Sequence, residues 1–340
     1  MTDATLAAAR YQGRNLPDKI LAVCTLGDGD EETLRAAGQL ASAWQSDLSV
    51  LVVTEQPAEI DSIARLTHVS PAEIEGRLAS ECREKISSLL VEAAPGLEPS
   101  IGVRFGKPFI EIILHVLEND IGLVVKIAEP PRGIQRLLFA SMDQHLLRKC
   151  PCPVWLRLRN SPLSASTIMV AIDVDEELAS EPETTKRLNQ TIMDAAVAMA
   201  SVNQATVHVL HVWNAPGEGL VRMLSGAPDG NEAADQYVQQ VQARHWRVLD
   251  RFLTSEKARI GPERLDGVDL LPHLERGEPG EVIAEQARAL GADLLVMGTV
   301  ARTGVPGLII GNTAEDTLNN TDCSVMTVKP PDYVSPVQVP

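Results

Sequence analysis

Met297-Gly298-Thr299-Val300-Ala301-Arg302-Thr303-Gly304, followed by Gly311-Asn312-Thr313-Ala314-Glu315-Asp316, is the part of this chain with the clearest chemical potential. An apolar run ending in glycine, a loop of small residues and a second glycine opening a helix would let backbone N–H groups approach a phosphate, and the helix N-terminus adds favourable partial charge. Arg302 reads either as a phosphate contact or as a solvated loop charge. Asn312 or Thr313 can cap the helix, and Thr313-Ala314-Glu315-Asp316 has capping-box spacing. Glu315 and Asp316 suit a helix start but repel a triphosphate unless a cation such as Mg2+ accompanies it. The same residues also fit a tight strand-to-helix connection with an ordinary cap, and glycine spacing alone leaves both readings open.

Other constellations carry less. His208 and His211 lie three apart on a presumed strand, so their side chains point to opposite faces and cannot jointly grip a metal. His273-x-Glu275 shares a strand face but lacks a nearby third ligand. Gly106-Lys107 is followed by Pro108, which is not a Walker phosphate loop, and neither a Gly-x-Ser-x-Gly elbow nor a Ser-His-Asp order is present. Five cysteines, an odd number, argue against a disulfide framework, Cys150-x-Cys152 lacks the spacing of common zinc and redox motifs, and Cys152 and Cys323 read as small buried hydrophobes.

The elements that must position the glycine loop occur twice. Gly106-Lys107-Pro108 and Gly277-Glu278-Pro279 lie 171 positions apart, as do Cys152-Pro153-Val154 and Cys323-Ser324-Val325, and Leu123-Val124-Val125 falls on Leu294-Leu295-Val296. One copy therefore serves as a control for the other. Apolar runs predict strands at 20–24, 48–53, 101–103, 123–125 and 154–158, then at 168–172, 207–212, 270–274, 294–297 and 325–328. Helical spacing places helices between them, including 240–257, 279–290 and 313–319. Strands alternating with helices imply an α/β chain of two tandem domains, each a parallel sheet with helices on both faces. The polar segment Arg159-Asn160-Ser161-Pro162-Leu163-Ser164 divides them into 1–160 and 161–340.

Register slips along the repeat. First strands match at an offset of 148, first helices and second strands at 159, and everything from Gly106 onward at 171. The second half thus has 11 extra residues within 174–190 and 12 more, placed most economically in 216–230, a segment with four glycines and two prolines. At the carboxyl ends of parallel strands, where ligands bind, such insertions would widen a mouth. Gly298 falls on Ile127, Ala301 on Pro130 and Gly311 on Ala140. A side chain at Ile127 would fill the space a phosphate needs, which makes the second half the nucleotide candidate.

The alternation of elements, the Gly-x-Pro before the third helix, Asp293-Leu294-Leu295-Val296-Met297-Gly298 and Gly311-Asn312-Thr313-Ala314-Glu315 together resemble the universal stress protein family, over nearly the whole chain. Two copies, the first with a degenerate loop, resemble its tandem-domain, UspE-like subgroup. The resemblance implies an open five-stranded, Rossmann-like sheet per domain, of the adenine nucleotide alpha hydrolase-like kind. In ATP-binding members it implies Gly-x2-Gly-x9-Gly-[Ser/Thr]. Here Gly298 and Gly311 match, whereas Ala301 and Asn312 depart. A left-handed backbone at Ala301 would cost about 1–2 kcal/mol, and Asn312 offers an amide rather than a hydroxyl. The family's adenine-contacting acid corresponds to Asp173 and its apolar adenine wall to Ile172 and Val212, while the first half has Thr25 in place of Asp173.

A formal charge of −16 disfavours nucleic acid and anionic membranes, and no apolar run reaches the roughly 20 residues of a membrane span. The start of the chain has no signal pattern, so a cytoplasmic protein is expected. The expectation is a non-enzymatic stress protein whose second domain binds ATP, with Mg2+ as its cation, or another nucleotide-like or partly apolar metabolite. Its halves would form an internal pseudo-dimer, with a homodimer as a further assembly. Weak ATP hydrolysis or phosphoryl transfer at the same loop, and an interaction module with vestigial pockets, are the alternatives.

Overall fold

In the first strand Leu21 and Val23 turn to one face and Ile20, Ala22 and Cys24 to the other, and all five are at most 2% exposed. A strand buried on both sides needs helices above and below, and a βα alternation supplies them. The computed structural model describes residues 16–55, 59–129, 141–175, 182–226, 230–299 and 311–339. The first half runs β1 (Lys19–Cys24), α1 (Asp30–Trp44), β2 (Asp47–Thr54), α2 (Ile60–Thr67), α3 (Pro71–Ala93), β3 (Ser100–Phe105), α4 (Pro108–Asn119), β4 (Leu123–Ile127), α5 (Ser141–Lys149) and β5 (Val154–Arg157). The second runs β6 (Thr167–Ile172), α6 (Pro182–Asn203), β7 (Thr206–Trp213), α7 (Glu218–Ser225), α8 (Gly230–Ile260), β8 (Leu270–Arg276), α9 (Pro279–Leu290), β9 (Leu294–Gly298), α10 (Asn312–Asn320) and β10 (Ser324–Val328).

The strands form one ten-stranded sheet in the order β3-β2-β1-β4-β5-β10-β9-β6-β7-β8. Within each half all pairs are parallel, and the halves meet where β5 and β10 pair antiparallel, Trp155 opposite Met326. This is the expected five-stranded parallel sheet, present twice. One core, with Ile20, Ile168, Val207 and Leu249, lies under α1, α3, α6 and α8, and the other, with Leu21, Ile113, Leu295 and Leu318, lies under α4, α5, α9 and α10. In each half strand order reverses between the first and fourth strands, the position where open α/β sheets form their ligand crevice.

Residues shared by both copies serve architecture. Gly106 and Gly277 both have φ of +151°, where a Cβ would press on Glu111 or Val282 at 2.7 Å. Their amides close the loops onto Thr54 O and Trp213 O, each at 3.0 Å, and Pro108 and Pro279 then open α4 and α9. Gly291 ends α9 with φ of +63°, as expected. Pro272 is accommodated because β8 is an edge strand.

The second insertion is not where its glycines and prolines point. Residues 218–225, expected as loop, form helix α7, the counterpart of α2, and α8 starts at Gly230, still 159 positions after Pro71. The extra length lies in α8, which has 31 residues against 23 in α3, and in the loop that follows it. The first insertion is partly helical too: α6 has 22 residues against 15 in α1.

Candidate functional site

The sheet brings the ends of β6 and β9 side by side, Ala171 opposite Met297, so Ile172, Asp173 and Gly298 share the rim of the second crevice. Asn189 fixes the turn after β6: its Nδ2 donates to Asp173 O at 2.6 Å and its Oδ1 accepts from Asp173 N at 3.4 Å. In the first half Asp30, 159 positions earlier, does the same work, its Oδ1 accepting from Thr25 N at 2.9 Å. The Asp173 carboxylate turns back on its own loop, accepting from Asp175 N at 3.2 Å.

Ile172 and Val212 do not make one apolar wall on a sheet face. Ile172 belongs to the core under α6 and α8, whereas Val212 packs against the opposite core. The register neighbour of Ile172 is His211, as strand alternation requires. Met297 is 3% exposed and packed in the core under α9 and α10, so it supports the rim from beneath.

Gly298 has a neighbour that the sequence comparison overlooks. A Cβ added there would lie 2.7 Å from Leu188 Cδ2 and 3.1 Å from Leu188 Cγ. In the first half the sizes are exchanged: a Cβ on Gly29 would meet Ile127 Cδ1 and Cγ2, both at 2.8 Å. Gly29 and Leu188 are equivalent at the 159 offset, and Ile127 and Gly298 at the 171 offset. Each half therefore fills the same gap with one large side chain, supplied by the strand in one copy and by the helix in the other. Bare backbone at Gly298 is accounted for by packing. A phosphate at this spot requires half-buried Leu188 to swing aside.

At the second glycine the capping expectation is corrected. The N-cap is Gly311, with extended φ of −62° and ψ of 144° and no side-chain cap, and Glu315 N donates to Gly311 O at 3.0 Å. Asn312 opens α10, and Thr313 sits exposed in its first turn, so Thr313 does not start a capping box. Glu315 pairs with Arg148 of the first half at 3.4 Å. Ala301 and Arg302 lie outside the described residues.

The second crevice also holds histidines whose partners the sequence did not reveal. His211 and His245 of α8 are buried and joined at 2.9 Å, with Ile172 O 3.4 Å from His211 Nδ1 and Asp175 Oδ2 3.9 Å from His245 Nε2. His208 meets His273 at 2.8 Å on the other face, so the expected separation of His208 from His211 holds. Among the described residues no group of three or more His, Cys, Asp or Glu is placed to hold a metal. His211 falls on Val52 in the first half, the one signal by which the twin could have exposed this pair. Burial pushes the His211 pKa down, against smaller upward pulls from Ile172 O and Asp175. The folded state thus favours neutral His211. Its contribution to stability is full above the unfolded value of about 6.5 and is lost as pH falls below it. Thermal unfolding followed from pH 7.5 to 5 should show a falling Tm, with a shallower slope in His211→Asn.

At the equivalent place the first half encloses a cavity of about 30 Å3 lined by Thr25, Asp30, Thr33, Lys126 and Ile127 among others. That volume holds one or two waters, far below the several hundred Å3 of a nucleotide pocket. Lys126, 1% exposed, reaches Asp143 at 3.0 Å and Glu129 at 3.3 Å. Their counterparts in the second half, Met297, Ala314 and Val300, are apolar.

Comparison with known proteins gives a consistent result. The profile described as "Universal stress protein family" matches residues 17–156 and again 166–329. Universal stress protein E of Escherichia coli strain K12 is 30% identical over 239 residues, covering 70% of each chain. The Haemophilus influenzae homolog is 26% identical over 274 residues, covering 76% of this chain and 82% of its own. Two solved structures share the fold: a protein of unknown function from Pseudomonas aeruginosa PAO1, with TM-score 0.65, 24% identity and 94% of each chain covered, and a universal stress protein from Archaeoglobus fulgidus, with TM-score 0.56, 17% identity, 92% of this chain and 98% of its own.

Proposed function

The chain belongs to the universal stress protein family, and from that premise we propose that it is a non-enzymatic, cytoplasmic tandem stress protein whose second half binds an adenine nucleotide, ATP with Mg2+, at the crevice between β6 and β9. The observation that carries this reading is the adjacency of Asp173 and Gly298 at the strand-order reversal of that half, the position that favours ligands in open α/β sheets. Gly311 adds the N-terminus of α10, whose free amides suit a phosphate. Leu188 covers Gly298 and acts as the side chain that a ligand displaces. The first half, with Ile127 at this point and Thr25 in place of Asp173, is the structural partner in an internal pseudo-dimer.

Leu188 also favours a second reading, an interaction module whose crevice stays shut. Titration of ATP and Mg2+ into the purified full chain separates the two. Saturable heat is expected for the wild type, with affinity raised about tenfold by Leu188→Ala as the displacement cost falls, and abolished by Gly298→Val. No binding by either the wild type or Leu188→Ala would instead support the interaction module. Phosphate release measured on the same samples reports on weak hydrolysis, which the proposal expects to be unchanged by Gly298→Val.

A further inference from the structure

Cys150 and Cys152 close the turn between α5 and β5, and their sulfurs lie 3.6 Å apart. At the equivalent turn of the second half the pair is Thr321 and Cys323, with Oγ1 3.3 Å from Sγ. The turn therefore brings these two side chains together in both copies, and only the first copy supplies two thiols. Lys329, one residue beyond β10, is 5% exposed and donates to Leu147 O at 2.5 Å and to Thr299 Oγ1. This seats the amine on the last turn of α5, at the carbonyl three residues before Cys150. Its counterpart in the first half is Leu158, so the dithiol and the buried amine occur together at one place in the chain.

We propose that Cys150 and Cys152 form a reversible disulfide under peroxide, with Lys329 taking up the thiol proton. Of the two residues Cys152 is the less buried, half-buried against 1% exposed for Cys150, so although its thiol is itself shielded from water it is the one that peroxide reaches first. Lys329 accepts the Cys152 proton and the thiolate attacks one oxygen of hydrogen peroxide. The O–O bond breaks, and the departing hydroxide recovers that proton and leaves as water. Cys152 is now a sulfenic acid. The Cys150 sulfur attacks the Cys152 sulfur, the S–O bond breaks, and hydroxide leaves with the Cys150 proton as a second water. Two thiols have lost two electrons and two protons, and peroxide has become two waters.

The amine is needed because burial pushes the Cys152 thiol well up, which makes the unassisted thiolate rare. Burial also brings Lys329 down to about 7, so a large share of it is a neutral base at physiological pH. The location gives the reaction a consequence. Lys329, Tyr333 and Ser335 donate to Leu147 O, Arg148 O and Lys149 O, the last three carbonyls of α5. The dithiol directly follows the turn by which the second half is fastened to the first, and closing the disulfide acts on that joint.

The test exposes the folded full chain to hydrogen peroxide, then denatures it, alkylates it with a maleimide and digests it for mass spectrometry. The expected result is a peptide spanning Cys150 and Cys152 that is 2 Da light, carries no maleimide, and regains two labels after dithiothreitol. Cys24, Cys82 and Cys323 should stay labelled in the same sample. Cys150→Ser should stop at the Cys152 sulfenic acid. Lys329→Met should slow closure about tenfold or more at pH 7. Two maleimide labels on the Cys150–Cys152 peptide of the oxidised wild type, or over-oxidation of Cys152 without the 2 Da loss, would overturn the proposal. Closure at an unchanged rate in folded Lys329→Met would remove the lysine from it.

Discussion

Lys126→Met should be among the most damaging single substitutions in this chain, at about 3–5 kcal/mol, and adding Asp143→Ala should restore most of the loss. The reason lies in what the first substitution leaves behind. Asp143 is 0% exposed and Lys126 1%, with 3.0 Å between Nζ and Oδ1. Removing the amine strands a buried carboxylate that, among the described residues, keeps only the Glu129 amide, at 2.8 Å. The Asp143 carboxyl is already held above its usual range, because desolvation outweighs the attraction of Lys126. That sign matters: even with its partner present, the charge is disfavoured where it stands. A buried pair of this kind is commonly neutral or unfavourable against an apolar replacement, whereas half a pair is costly. The second half supplies the replacement, Met297 against Ala314, in the same fold and register. Denaturant titration of the four proteins of the cycle should therefore give a double variant within about 1–2 kcal/mol of wild type. A double variant as unstable as the sum of the singles would mean that the pair contributes more than its desolvation costs.

Strands and the parallel sheet were legible because buried strands leave near-continuous apolar runs, and Gly106 and Gly277 with their prolines mark the same loop twice. Helix extents were less so. Residues 231–239, polar apart from alanine, tyrosine and valine, hide the first turns of α8, and the glycines around 217–230 disguise α7, whose apolar residues Leu220, Met223 and Leu224 are more than half exposed. At the site, comparing Gly298 with Ile127 used one half of a coupled substitution. The other half, Gly29 against Leu188, lies on a different element at a different offset, and the two meet only when α1 and α6 are laid over the ends of β4 and β9. The His211–His245 contact was hidden in the same way, since a strand residue and a helix residue 34 positions apart share no local pattern. Contacts between elements, unlike the elements themselves, leave little trace in periodicity.

Gly298→Ile should destabilise the ligand-free protein by about 1–3 kcal/mol, and Leu188→Ala in the same chain should remove most of that penalty. Two views of this glycine divide on that result. If Gly298 is kept bare only for a ligand's sake, an added side chain abolishes binding and leaves the folding free energy of the empty protein nearly unchanged. If it is bare because Leu188 occupies the space, the side chain meets Cδ2 at 2.7 Å, Cγ at 3.1 Å and Cδ1 at 3.2 Å, and either the leucine or β9 must give way. Leu188 is half-buried and packed at the edge of the core, and the atoms in the way are the far end of a flexible side chain, which sets the expected cost in the overpacking range rather than at unfolding. The mirror experiment belongs to the other half. Gly29→Leu should be destabilising alone, because Ile127 Cδ1 and Cγ2 stand 2.8 Å from the new Cβ, and Ile127→Gly should relieve it by recreating the arrangement of the second half. Non-additivity of the same sign in both cycles would show that the two copies diverged here by exchanging volume across one contact. The glycine would then be no evidence of nucleotide binding, and the Leu188→Ala titration alone would decide that question.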